Sequence, residues 1–206
     1  MDGLMHPRSD AWRQALRPLS EPPGLPGWNH ATMSDLIGDA PLTPAAVLVP
    51  VIDAAQPSVV LTRRTEHLAR HAGQVAFPGG RVDADDSDAI DAALRETEEE
   101  IGLPRSHVQP VGFLDCFETV SGFAVTPVVA LVSPQRPPWR PEPGEVDEVF
   151  EVPLAFLLDP ANLQRYTMQY RGQAREMAEF RYGPHRIWGA TAAMLTNLLV
   201  RMGVLP

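Results

Sequence analysis

Apolar residues in this chain come in short bursts separated by proline, glycine and aspartate. Residues 46–51, 59–63, 108–118 and 125–132 are valine-rich and punctuated at their ends, which predicts strands. Between the second and third, residues 87–101 carry the three-to-four spacing of a helix. Residues 149–152 predict another strand, 154–158 a short helix, and 166–170 with 176–182 a hairpin around Gly172. Residues 187–202 place Trp188, Ala192, Leu195, Leu198, Leu199 and Met202 at helical spacing, so a core-facing helix should close the fold. At the other end, residues 9–16 predict a short capped helix before Pro18, Pro22, Pro23 and Pro26 break the chain. Residues 1–40 read as an amino-terminal arm and 41–206 as the folded domain. Strands and helices mixed in this order imply an α/β fold, a sheet with helices on both faces.

Composition narrows the function classes. A chain of 206 residues, 44% hydrophobic and 21% charged, fits one folded domain and excludes disordered or fibrous classes. Seventeen basic against 26 acidic residues give a net charge of −9. The arginines are scattered, which argues against nucleic acid as partner, because phosphate-backbone affinity comes from clustered positive charge. Cys116 is the only cysteine, which excludes an intrachain disulfide and a multi-cysteine zinc site and fits a reducing cytoplasm. The first residues lack the apolar core of a signal peptide, and the longest apolar runs, from Ala45 and from Val125, are too short to span a membrane. A cytoplasmic protein without a membrane partner is expected.

The informative segment runs from Ala76 to Leu103. On a helix with 100° per residue, Ile90, Leu94, Thr97 and Ile101 make a burying stripe about 60° wide. Glu96, Glu99 and Glu100 fall on a second stripe centred some 120° away, while Asp91, Arg95 and Glu98 point elsewhere. Carboxylates at i, i+3 and i+4 repel one another unless something cationic sits between them. Hard divalent cations such as Mg²⁺ take such oxygen ligands and commonly share them with substrate phosphates. An isolated glutamate triplet is ordinarily a solvated face. Here Gly79 and Gly80 precede it in a loop suited to close backbone approach, and Gly102 stops the helix.

This segment resembles the signature of the Nudix hydrolases, a glycine, a glutamate, then Arg-Glu-apolar-x-Glu-Glu-x-Gly-apolar. Arg95, Glu96, Glu99, Glu100, Gly102 and Leu103 match its second half, with Thr97 where an aliphatic residue is usual. In the first half Gly80 lies one residue too far from Arg95, and the expected glutamate falls near Ser87, between Asp86 and Asp88. Upstream, residues 60–80 are similar to the element of the coenzyme A diphosphatase subgroup through Leu61, Thr62, Arg64, Gly73, Phe77, Pro78, Gly79 and Gly80. The resemblance implies a Nudix-type α/β/α sandwich with a mixed β-sheet and a diphosphatase that splits coenzyme A or a derivative into 3′,5′-ADP and 4′-phosphopantetheine. It implies Mg²⁺ or Mn²⁺ on Glu96, Glu99 and Glu100, with Arg95 orienting a glutamate. Arg63, Arg64, Arg70, Gly79 and Gly80 are the expected substrate contacts. The general base stays open between a helix glutamate and a later acid such as Glu145 or Glu148. Other nucleoside diphosphate derivatives such as ADP-ribose, or nucleotide binding without turnover, are the alternatives. The oligomeric state, monomer or homodimer, is open.

Rival chemistries have little support. His67 and His71 are the only histidines four apart and lack a third ligand. Ser121-Gly122 lacks the glycines of a nucleophile elbow. Cys116 in an apolar strand reads as core, because reactive thiols need an electropositive, accessible site.

Overall fold

The computed structural model describes residues 11–38, 40–68 and 71–205. Helices α1 (Ala11–Gln14) and α2 (His30–Ile37) precede strands β1 (Thr43–Ile52), β2 (Ser58–Arg64), β3 (Val75–Ala76) and β4 (Gly79–Arg81). Helix α3 (Ala89–Ile101) follows, then β5 (Val108–Phe113), β6 (Phe117–Glu118), β7 (Phe123–Val132) and β8 (Val146–Pro153). The chain continues through α4 (Leu154–Leu157), β9 (Leu163–Tyr170), β10 (Gln173–Tyr182), β11 (His185–Trp188) and α5 (Gly189–Arg201).

The larger sheet is mixed, with β1 and β7 parallel from Thr43↔Phe123 to Ile52↔Val132 and the other pairs antiparallel. Its main path is β3-β2-β1-β7-β5, and β4 pairs with β1 further along from β2. Strand alternation fills both faces. Ala46 and Leu48 of β1 pack with Ala92 and Ala93 of α3, whereas Ala45, Val49 and Val51 pack with Leu195, Leu198 and Leu199 of α5. The fold is therefore a mixed sheet between helices, as the α/β reading expects. Strands β9 to β11 form a second, three-stranded sheet.

Residues 108–118 form two strands where one was expected. The β5–β7 register shifts between Pro110 and Gly112, and the chain then bends so that Leu114 N–H donates to Pro127 O and Asp115 N–H to the Asn197 side chain. The expected closing helix begins at Gly189, because Ile187 and Trp188 are taken up as strand partners of Phe180 and Glu179. Within the arm, the helix expected at 9–16 is α1, which stops at Gln14 with Ala15 and Leu16 in a turn, and residues 9 and 10 lie outside the described residues. Trp12 is fully buried in the α5-side core, and Arg17 bridges Phe113. Helix α2 has no counterpart in the sequence reading. Its flank is fixed by the buried carboxylate of Glu118, which accepts from Gly27 N–H and His30 Nδ1, each at 2.7 Å.

Candidate active site

Helix α3 begins where the Asp88 carboxylate accepts from Asp91 N–H at 2.9 Å and ends at Gly102, whose left-handed φ of 66° lets its N–H close onto Glu98 O. Its buried face is Ala92, Ala93, Thr97, Glu100 and Ile101, with Ile90 and Leu94 only half-buried. The burying stripe is thus rotated toward the glutamates from the expected one. Thr97 enters the core because its hydroxyl donates to Ala93 O at 2.6 Å, leaving no unpaired polar atom. The rotation separates the glutamates: Glu100 is 4% exposed, while the Glu99 side chain is 60% exposed at the rim.

Arg95 ties the helix to the loop before it. Nε and Nη2 donate to the two oxygens of Asp86 at 2.9 and 2.8 Å, Nη2 also to Arg81 O at 3.1 Å, and Nη1 to Glu96 at 3.0 Å and Glu99 at 3.3 Å. The Arg95 hydrogen bonds, helped by Asp83 N–H, hold the Asp86 carboxyl at about 2. Asp86, chiefly, keeps the guanidinium charged well beyond the ordinary arginine range. The acid expected near Ser87 is therefore divided between its neighbours: Asp86 grips the arginine and Asp88 caps the helix.

Glu96 and Glu100 face Gly79 and Gly80, which do not form the expected loop but open strand β4, paired with Val47 and Ala46 of β1. A Cβ on Gly80 would stand 2.4 Å from the Glu96 carboxyl carbon, and one on Gly79 (φ 153°) would stand 2.3 Å from Ala46 O. Both glycines are thus required by close approach, one to a site side chain and one to the β1 backbone. Burial pushes the Glu100 carboxyl up to about 8, with Glu145 and Glu96 adding repulsion while Arg64 and Gly79 N–H oppose it. Burial likewise raises Glu96 despite the Arg95 hydrogen bond, with Glu99 and Glu145 adding to the rise. Arg64 Nη1 lies 3.8 Å from Glu100 Oε1, and its buried Nε has no hydrogen-bond partner.

Glu145 arrives on a proline-rich strap, residues 134–145, seated on the end of α3. Arg140 N–H donates to Ile101 O at 2.9 Å and Glu142 N–H to Glu100 O at 2.8 Å. Thr65 N–H donates to Glu145 O at 3.0 Å, joining the strap to the end of β2.

Among the described residues no three His, Cys, Asp or Glu side chains are gathered to hold a metal ion. The donor chemistry nonetheless suits a hard divalent cation. Glu96, Glu100 and Glu145 are carboxylates whose mutual repulsion a cation between them would relieve.

The other expected substrate contacts are dispersed. Arg63 is paired with Asp147 and with Glu148 at 3.3 Å, on the strand pair β2–β8, and Arg70 lies outside the described residues. Glu148 also meets His185 at 3.6 Å. Cys116 is buried, which pushes its thiol up to about 11 with Glu118 and Asp115 adding to the effect, so it has the character of core.

A mixed sheet between helices, with a glutamate-bearing helix facing a Gly-Gly strand, is the arrangement expected of a hydrolase of the Nudix class. The chain matches the NUDIX domain family over residues 42–171 and belongs to it. It is 44% identical over 162 residues, covering 79% of this chain and 84% of the relative, to the uncharacterized Nudix hydrolase NudL of Salmonella paratyphi B, and equally to that of Salmonella newport. Among solved structures, a MutT/nudix family protein from Enterococcus faecalis shares the fold, with a TM-score of 0.50 at 17% identity over 99% of this chain and 76% of that one. The protein is thus a Nudix hydrolase, an enzyme acting on phosphorus-containing anhydrides, and the family generally needs divalent metal ions. No helix among the described residues is long and apolar enough to cross a membrane.

Proposed function

We propose that this enzyme hydrolyses the diphosphate linkage of coenzyme A or a derivative, releasing 3′,5′-ADP and 4′-phosphopantetheine or its acyl form. The observation that carries the reading is that the segment resembling the coenzyme A element builds the wall facing the glutamates. Arg64 near its start and Gly79 at its end both act on Glu100.

Glu96, Glu99 and Glu100 would hold Mg²⁺ or Mn²⁺, and the charge of Glu145 adds to the negative field such a cation would meet. When bound, the cation neutralises the diphosphate and favours attack by water. Arg95 holds Glu96 and Glu99 by charge-assisted hydrogen bonds and does not itself reach substrate. Arg64, with its unpaired Nε, supplies a cation to the diphosphate, and the Gly79-Gly80 backbone lets that group approach closely. The proton from water is assigned to Glu145, whose charge acts on both Glu96 and Glu100 and whose backbone is tied to Thr65.

A substrate panel of coenzyme A, acyl derivatives, ADP-ribose and dinucleotides, with mass detection of both products, tests this. The expected result is metal-dependent turnover favouring coenzyme A or a derivative. Preference for ADP-ribose replaces the substrate, and tight binding without turnover replaces catalysis by a binding role.

A further inference from the structure

The site described so far grips only the diphosphate. Resting on the reading that the substrate also bears a phosphomonoester at its nucleoside end, we infer that Arg81, laid over Phe123, is the residue that reads that second phosphate.

Of the arginines expected to contact substrate, the two that are described are otherwise engaged. Arg63 is paired with two acids, and Arg64 is turned to Glu100. Among the described arginines, Arg81, Arg140 and Arg171 have no carboxylate within salt-bridge distance. Arg140 sits on the strap at the far end of α3, whereas Arg81 directly follows the glycines that face Glu96 and Glu100. Gly80 lies against Glu96, and the Arg81 carbonyl accepts from Arg95 Nη2. The machinery that orients the glutamates therefore also fixes the Arg81 backbone.

The direction of the side chain is set by the strand. Side chains alternate across a strand, so Gly80 faces Glu96 and Arg81 turns to the opposite face. There its guanidinium carbon lies 5.5 Å from the Phe123 ring centroid. An aromatic ring holds a guanidinium by cation–π attraction without neutralising it, leaving the planar fork free for phosphate oxygens. Among the described residues β4 pairs only with β1, and side chains of α3 cover its other edge, where Arg81 O accepts from Arg95 Nη2 and Gly79 N–H reaches Glu100. The Arg81 side chain is exposed, so a second phosphate of a substrate held at Gly79-Gly80 can reach it past the end of the strand.

The test compares kcat/KM for coenzyme A and for dephospho-coenzyme A, which differ only by the phosphomonoester, in wild type, Arg81→Gln and Arg171→Gln. Arg171, at the distant β9–β10 turn, loses the same charge and controls for a general field effect. Arg81→Gln is expected to lower the coenzyme A preference by ~10-fold or more, mainly through KM, as for one lost charged hydrogen bond. Arg81→Lys should recover part of it, and Arg171→Gln should keep the wild-type ratio. Phe123→Leu, which keeps Arg81 but removes its ring support, should lower the preference by a smaller factor. An undiminished preference in Arg81→Gln, or an equal fall in Arg171→Gln, overturns the inference while leaving the substrate reading intact. A wild type that hydrolyses ADP-ribose and neither coenzyme overturns the substrate reading, and the inference with it.

Discussion

Asp86 and Arg95 face each other as a two-pronged pair, Nε to Oδ1 at 2.9 Å and Nη2 to Oδ2 at 2.8 Å, although nine positions separate them. This pair restrains the guanidinium whose remaining nitrogen aligns Glu96 and Glu99. Asp86→Asn removes the charge from the fork and lets Arg95 swing toward the glutamates. The expected result is a ~10-fold fall in kcat and weaker metal affinity, on the scale of losing a residue that orients metal ligands. Asp86→Glu should restore part of both. Steady-state kinetics across a Mn²⁺ titration reads this out; unchanged kinetics in Asp86→Asn would remove the pair from the site.

The two glycines that open β4 should fail differently. A methyl at Gly79 meets Ala46 O and Val47 Cα, which are backbone atoms of a central strand, so Gly79→Ala should unfold at markedly lower temperature. A methyl at Gly80 meets only the movable end of Glu96. Gly80→Ala should therefore keep most of its stability and lose most of its activity. Thermal melts and turnover measured on the same samples separate the two, and a Gly80→Ala enzyme with wild-type turnover would contradict the geometry.

Glutamate identity should matter by position. Glu96→Gln and Glu100→Gln should each lower kcat by ~100-fold or more, the scale of removing one electrostatic stabiliser of a transition state. Glu98→Gln is the control, since Glu98 is exposed and its partner is Arg105 at 3.8 Å. Glu99→Gln should lie between them, because its side chain stands at the rim. Exhaustive chelation should abolish turnover of the wild type and be reversed by Mg²⁺ or Mn²⁺. Damage at Glu98 equal to that at Glu100 would show that the wrong face of α3 has been assigned.

Acid should loosen the arm before it reaches the sheet. Burial would raise the Glu118 carboxyl, but Gly27 N–H and His30 outweigh it and hold the group below its ordinary value. A depressed carboxylate contributes stability that is present above its unfolded pKa and lost as pH falls through the folded one. The wild type should therefore lose stability below about pH 4.5, with the arm released first, while Glu118→Gln should lose about 2 kcal/mol at neutral pH and show a flatter acid limb. Hydrogen exchange at Gly27 and Trp28 against pH reports it, and identical acid limbs in the two proteins would refute it.

The layers of this fold were legible where one residue decides one face. The valine-rich, punctuated runs of β1 and β7 and the spacing of α3 and α5 are local patterns, and they led to a sheet with helices on both faces. The break between β5 and β6 was not legible, because it depends on Asn197 of α5 accepting from a backbone group 82 positions earlier. Arg95, Glu96, Glu99 and Glu100 stand out by spacing along one helix. Which of them is desolvated was hidden, because the buried face is set by Ala92 and Ala93 packing on Ala46 and Leu48 of β1, with the bulkier Ile90 and Leu94 left half-buried. The flanking acids were visible as alternatives to a missing glutamate, but their separate tasks required the distances. Arg81 carried no sequence signal, since its interest lies in the carboxylate partner it lacks.

The strap on the end of α3 also bears on how the chain can change length. Its two anchoring hydrogen bonds begin at Arg140, and after Glu142 it leads directly into β8, whose register with β2 sets the wall carrying Arg64. Extra residues inserted among Pro134, Pro137 and Pro138 would bulge into solvent and leave both anchors in place. One extra residue between Glu142 and Val146 would turn Glu145 away from the helix or slip β8 along β2. The loop thus has a permissive half and a metered half, and length variation that preserves activity should fall before Arg140.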